Sequence, residues 1–264
     1  MSRFAALGRV ARCQLRDVAR SRWVIAYALF FAAITDALIR FGGGGERAML
    51  SLVDIVLFVV PLVTLVFGTT YLYNAREFVE LILAQPVRRG AVFGGLYLGL
   101  AVPLSLGFAA GVGLPFLFHG ATDAYAQLGA LVGVGVLLTL VFSAVALLIA
   151  IRADDRLRGV ALAIGAWLLM AVVYDGLVLL AVSLFADYPL ERPLLAAMLA
   201  NPVDLARVAL LLRFDTAALL GYTGAVLRQV LGGPAGMLLA LGALVLWAAA
   251  PLALAARAFA RRDF

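Results

Sequence analysis

Six apolar stretches set the pattern of the chain: roughly Trp23 to Arg40, Leu52 to Tyr73, Val92 to Phe118, Tyr125 to Ile151, Val160 to Val182 and Pro234 to Ala256. Each is nearly free of charge and, at about 1.5 Å per residue, long enough to cross a hydrocarbon core of about 30 Å as a helix. A transmembrane barrel would instead show segments of about ten residues with alternating polarity, and an open sheet would leave backbone groups unsatisfied in lipid. The pattern predicts an all-α integral membrane protein with six transmembrane helices in a single domain over residues 1–264.

The polar interruptions carry structure of their own. Over residues 1–22, helical periodicity gathers Phe4, Leu7, Ala11, Leu15 and Val18 on one face and Arg9, Arg12, Arg16 and Arg20 on the other, as an interfacial helix on an anionic leaflet requires. Residues 74–90 predict a short amphipathic helix between spans two and three. Glu77, Glu80 and Ala84 line one side, Phe78, Leu81 and Ile82 supply apolar contacts, and Pro86 ends the helix because the residue before proline avoids the α region. Such a helix suits a groove on a cytoplasmic partner, or a place flat on the bilayer.

The longest interruption, residues 183–232, reads as a structured outer loop before the last span. Asn201 is a good N-cap, Pro202 suits the first helical position and Asp204 can answer free backbone donors, so a helix is predicted from Pro202 to about Arg213. Phe214-Asp215-Thr216 offers a second cap, and Tyr222-Thr223-Gly224 a turn. Leu205, Val208, Ala209, Leu211 and Leu212 suit packing on the outer bilayer surface or against another protein.

Composition agrees with the pattern: 65% hydrophobic residues, 14% charged and a mean hydropathy of +1.08 lie far from the balance of soluble domains. The net charge of +6 comes from arginine alone, since the chain has no lysine. Fifteen of the 21 arginines fall before span one or in the connections after spans two, four and six, which places both termini in the cytoplasm. Membrane topology thus accounts for the basicity, and a nucleic-acid reading lacks the soluble basic face it would need.

Candidate chemistry within the spans is sparse. Asp36 and Arg40 are spaced as an i,i+4 pair, Asp54 is interfacial, and Asp175 beside Tyr174 lies about 6 Å outward of its span's centre. A carboxylate at that depth suits either a substrate path or a helix-to-helix hydrogen bond. One cysteine, Cys13, one histidine, His119, and scattered methionines make no soft-metal site, so no metal or cofactor is expected in this chain. His119 with Asp123 is the only acid–base pair at suggestive spacing, and it reads better as a polar loop end than as an enzyme site. An ATPase-independent secondary transporter would show internal symmetry, and residues 1–130 and 131–264 share none.

Taken together, the Arg-rich first helix, the six spans and the loop ending Leu83-Ala84-Gln85-Pro86-Val87-Arg88-Arg89 resemble permease subunits of type 2 ABC transporters over the whole chain. The resemblance implies that the loop with Arg76, Glu77, Glu80, Pro86, Arg88 and Arg89 is a coupling helix seated in a cytoplasmic ABC ATPase, which supplies ATP and Mg. That ATPase must be another chain, because a Walker A loop needs a lysine; Gly42 to Gly45 reads as a turn. The segment Asn201-Pro202-Val203-Asp204-Leu205-Ala206-Arg207-Val208, with Phe214 to Val226 after it, further resembles the permease of nitrous oxide reductase maturation complexes. By that resemblance two permeases pair with two NosF-like ATPase subunits and a periplasmic NosD-like protein in the bacterial inner membrane, supporting assembly of the copper-sulfide site. Asn201, Pro202, Asp204, Arg207, Asp215 and Tyr222 would then form the periplasmic docking surface, and Asp175 and Tyr174 a transport path. Transport of a sulfur or copper species, a purely mechanical signal to the periplasmic partner, and export of a lipid or other hydrophobic compound all remain open at the level of sequence.

Overall fold

The computed structural model describes residues 21–42, 45–85, 87–120, 124–185, 191–214 and 234–262. All regular structure among them is helical, and six helices are long and apolar enough to cross a membrane. Span one is α1, Arg22–Phe41; span two is α2, Gly45–Asn74. The short helix α3, Arg76–Leu83, leads to span three, α4, Arg89–Phe118, and span four, α5, Tyr125–Arg152. Span five runs from Arg156 to Leu184 as α6, Arg156–Leu168, a π-helical turn Leu169–Val173 and α7, Tyr174–Leu184. Two shorter helices, α8, Glu191–Ala200, and α9, Pro202–Arg213, precede span six, α10, Pro234–Arg261. Residues 1–20, where the interfacial helix is expected, lie outside the described residues, as do Pro86, Asp123, Asp215 and Tyr222.

Span four is the centre of the bundle, packed on spans two, three and six and on α9. Its close neighbours demand small residues. A side chain at Gly135 would run into the ring of Phe108, which is fully buried and stacked edge-on against Phe31 at 5.1 Å between centroids. Span one lies along span three, where Gly111 leaves room for the Ala28 carbonyl. Span five packs chiefly on span two, and Leu162, Leu169, Leu177 and Leu180 along it are exposed.

The segment before span six departs from the expected surface loop. The chain bends by 109° between Pro193–Ala200 and Pro202–Arg213, and the corner between them lies deep. The Leu199 carbonyl accepts from Trp247 Nε1 at 2.9 Å, and Trp247 is at the middle of Pro234–Arg261. Asn201 donates to the carbonyl of Met170, at the middle of Arg156–Leu184. Helices of this length are about 40 Å long, so the corner is about 20 Å from either end of the bundle. Leu205, Val208 and Ala209, expected to face the bilayer surface or a partner, are buried, and Ala206 and Leu210 between them are fully buried. The reason is tertiary: α9 packs on α5 and α10, and its apolar face completes the chain's own core.

Candidate functional site

The deep corner holds a polar cluster built from two distant segments. Asn201 caps α9 with Oδ1 accepting from the Val203 N–H at 3.0 Å, and Pro202 takes the first helical position, where its missing N–H costs nothing. The Asn201 amide donates to the Met170 carbonyl at 2.7 Å and to Asp204 Oδ2 at 3.2 Å. One side chain thus caps a helix, ties it to span five and orients a carboxylate. Asp204 Oδ1 is 3.1 Å from Arg207 Nη1, and the same nitrogen is 2.7 Å from Asp175 Oδ2 on span five. Tyr174 donates from its hydroxyl to the Ala197 carbonyl at 2.6 Å.

The π-helical turn makes this possible. The N–H of Tyr174 bonds to the carbonyl of Leu169, five residues back, which widens the backbone where the Met170 carbonyl receives Asn201. Turns of this kind occur often at functional sites. A cavity of about 210 Å³ opens beside the cluster, lined by Asp175, Asp204, Arg207 and Met198 with Val178, Leu179, Val182 and Val208. Charge at such depth is costly unless paired, and a guanidinium bridging two carboxylates is the pairing observed. Among the described residues no three of His, Cys, Asp and Glu converge to hold a metal ion.

Two groups of residues expected to act apart, Asn201, Pro202, Asp204 and Arg207 at a docking surface and Asp175 with Tyr174 on a path, are therefore one site. Asn201 is 1% exposed, and Pro202 and Asp204 are also buried, so in this conformation they face the bundle interior and not a periplasmic partner. The i,i+4 pair of Asp36 and Arg40 forms at 2.8 Å. His119 has Nε2 at 3.4 Å from Asp36 Oδ1; Asp123, which its spacing suggested as a partner, lies outside the described residues. Asp54 is exposed.

At the arginine-rich end, α3 presents Glu77, Glu80, Leu81 and Ala84 outward along one face, Leu81 being 70% exposed, while Val79 is fully buried against the bundle. Arg88 is exposed, but the other two arginines expected there are engaged within the chain. Arg76 donates to the carbonyls of Asp154 at 2.9 Å and Ala153 at 3.3 Å and lies over the Tyr73 ring at 4.5 Å. Arg89 donates to the carbonyls of Ala260 and Arg262, and Arg262 pairs with Asp154 at 2.7 Å and bonds to the Ile151 carbonyl.

Tyr73, Asp154 and Arg262 make tertiary contacts that the pattern of the chain did not single out, because the partners are far apart in sequence: Tyr73 reaches the carbonyls of Ala153 and Asp155, and Arg262 the Ile151 carbonyl and the Asp154 carboxylate. Asp155 had a local signal: it stands just before a helix, and its carboxylate caps the N–H groups of Leu157 and Arg158.

A short acidic helix at one end, six spans and a buried charged corner fit an energy-coupled permease, and comparison with known proteins agrees. No family model matches the chain. It is 31% identical over 96% of its length to the "Probable ABC transporter permease protein NosY" of Pseudomonas aeruginosa, covering 97% of that protein. A second protein of that name, from Stutzerimonas stutzeri, is 28% identical over 78% of this chain and 81% of its own. With that identity sustained from end to end, the chain belongs to the NosY family of ABC transporter permeases, multi-pass membrane subunits whose ATPase is a partner protein.

Proposed function

We propose that this permease couples ATP hydrolysis by a NosF-like cytoplasmic subunit to export of, or conformational signalling for, a sulfur or copper species used in assembling the copper-sulfide site of nitrous oxide reductase. The observation that carries this reading is the end-to-end similarity to the NosY of P. aeruginosa. In the working complex the chain is a homodimer in the bacterial inner membrane with both termini cytoplasmic, consistent with the arginine bias. Glu77 and Glu80, outward on α3 with Leu81, are the face that meets the ATPase, with Arg88 beside them. Arg76 and Arg89 hold that helix and the start of span three to the rest of the chain, and Pro86 follows the helix in sequence. A periplasmic NosD-like protein docks through the segment with Asp215 and Tyr222, whose preceding helix is fixed by Asn201, Pro202, Asp204 and Arg207.

Deleting the gene in a native host respiring nitrous oxide, then purifying the reductase and recording its copper content and copper-sulfide absorption, tests this reading. The expected product is a reductase lacking the copper-sulfide site, restored by complementation. A fully loaded reductase would reject the cargo and leave a permease of other compounds. For the ATPase contact, Glu77→Arg with Glu80→Arg is expected to release the ATPase from the purified complex at least tenfold without loss of membrane insertion.

A further inference from the structure

We propose that span five is the element that carries the ATPase stroke outward to the deep corner, with Tyr73 and Asp175 as the coupling residues at its two grips. The proposal rests on membership of the ABC permease family and is independent of the cargo.

The inner grip joins the coupling helix to the start of span five. Tyr73, just before α3, has its hydroxyl 2.9 Å from the Ala153 carbonyl and 3.2 Å from that of Asp155. Arg76, the first residue of α3, donates to the carbonyls of Ala153 and Asp154. Asp155 is itself the N-cap of α6. A displacement of α3 is thus delivered to the first turn of span five through short polar contacts. Gly159 completes the grip: any side chain there would collide with the Tyr73 ring and hydroxyl, so the tyrosine reaches the carbonyls only because position 159 is glycine.

Within the chain, span five is lightly packed along its length. Its contacts run chiefly to span two, where Trp167 donates to the Phe58 carbonyl at 3.0 Å, and its leucines face outward. The outer grip then engages the whole corner within one and a half turns. Met170 holds the apex through Asn201, Tyr174 holds the first arm at Ala197, and Asp175 holds the second arm at Arg207. The π-helical turn at Leu169–Val173 carries Met170 and leads into Tyr174, so the outer grip is built on the irregular part of the span, as is frequent at functional sites. Separating the partly buried pair at this depth would leave charge uncompensated, which is disfavoured, and a moving span five takes the corner with it.

The test uses the full chain, with Cys13→Ser and Leu199→Cys, assembled with its ATPase in nanodiscs and labelled with bimane at position 199. Leu199 precedes the apex and its side chain is accessible at 38%. ATP with vanadate is expected to shift the bimane emission of this parent. Asp175→Asn and, separately, Tyr73→Phe are expected to reduce the shift at least threefold while ATP hydrolysis stays within twofold of the parent, and Asp175→Glu is expected to keep the shift. A shift absent from the parent, retained in both Asp175→Asn and Tyr73→Phe, or lost only in proportion to hydrolysis would overturn the proposal. Should Asp175→Asn fail to assemble, Tyr73→Phe decides alone, since its hydroxyl lies at the start of span five, well away from the ion pair.

Discussion

Spans four and five leave the same short loop at residues 153–155, yet they are held in opposite ways. Span four is enclosed by neighbours and fixed by packing: Gly135 lies beneath Phe108, Ala146 against Gly68, and Leu138, Phe142 and Leu147 are fully buried. Span five has little burial and is fixed by directional polar contacts at Tyr73, Trp167, Met170, Tyr174 and Asp175. Without a hydrophobic drive between helices in lipid, close packing and interhelical hydrogen bonds are the available adhesives. A packed helix resists any displacement, whereas a helix on a few polar contacts can exchange one partner for another. The contrast assigns the frame of the permease to span four and its motion to span five.

The largest expected effect comes from breaking the charge balance at the corner. Arg207→Leu leaves Asp175 and Asp204 facing one another without their shared cation; the set is partly buried, and the roughly 3–5 kcal/mol for removing one partner of a buried pair is its upper bound. The melting temperature of the purified chain in detergent should fall steeply, and Arg207→Lys should restore part of it. Next is the frame itself. Gly135→Ala pushes a methyl into the Phe108 ring, which Phe31 prevents from yielding, and overpacking of this kind costs about 1–3 kcal/mol. The smallest effect belongs to a single tether on span five. Trp167→Phe keeps the edge-on aromatic contact with Phe58 but removes one hydrogen bond, about 1 kcal/mol. Equal losses for Gly135→Ala and Trp167→Phe in the same melting assay would erase the distinction between the two spans.

Much of the fold was legible because it is local. Span lengths, the Asp36–Arg40 pair, the Asn201 cap and the helix from Pro202 to Arg213 all follow from residues within a few positions of one another. The depth of that helix was not legible. Capping residues specify where a helix begins, whether it lies on a surface or inside a bundle, and the apolar face of α9 suits either place. Depth is set by Asn201 reaching Met170 and by Trp247 reaching Leu199, contacts that leave no periodic trace. The same holds for Asp175 and Arg207: the first was recognisable as a costly charge within a span and the second only as part of an outer-loop helix, and their union required the corner. Arg76 and Arg89 are expected at the ATPase contact by family resemblance alone; their carbonyl partners lie in segments brought near only by the fold.

The account turns on the deep corner, and its depth can be measured directly. A nitroxide at Leu199→Cys in the Cys13→Ser background, reconstituted in lipid, reports depth from the ratio of its collision rates with oxygen and with a water-soluble nickel chelate. The account predicts oxygen-dominated collisions characteristic of the middle of the bilayer, close to those of a label at Trp247→Cys. Nickel-dominated collisions, as for a loop in water, would contradict it.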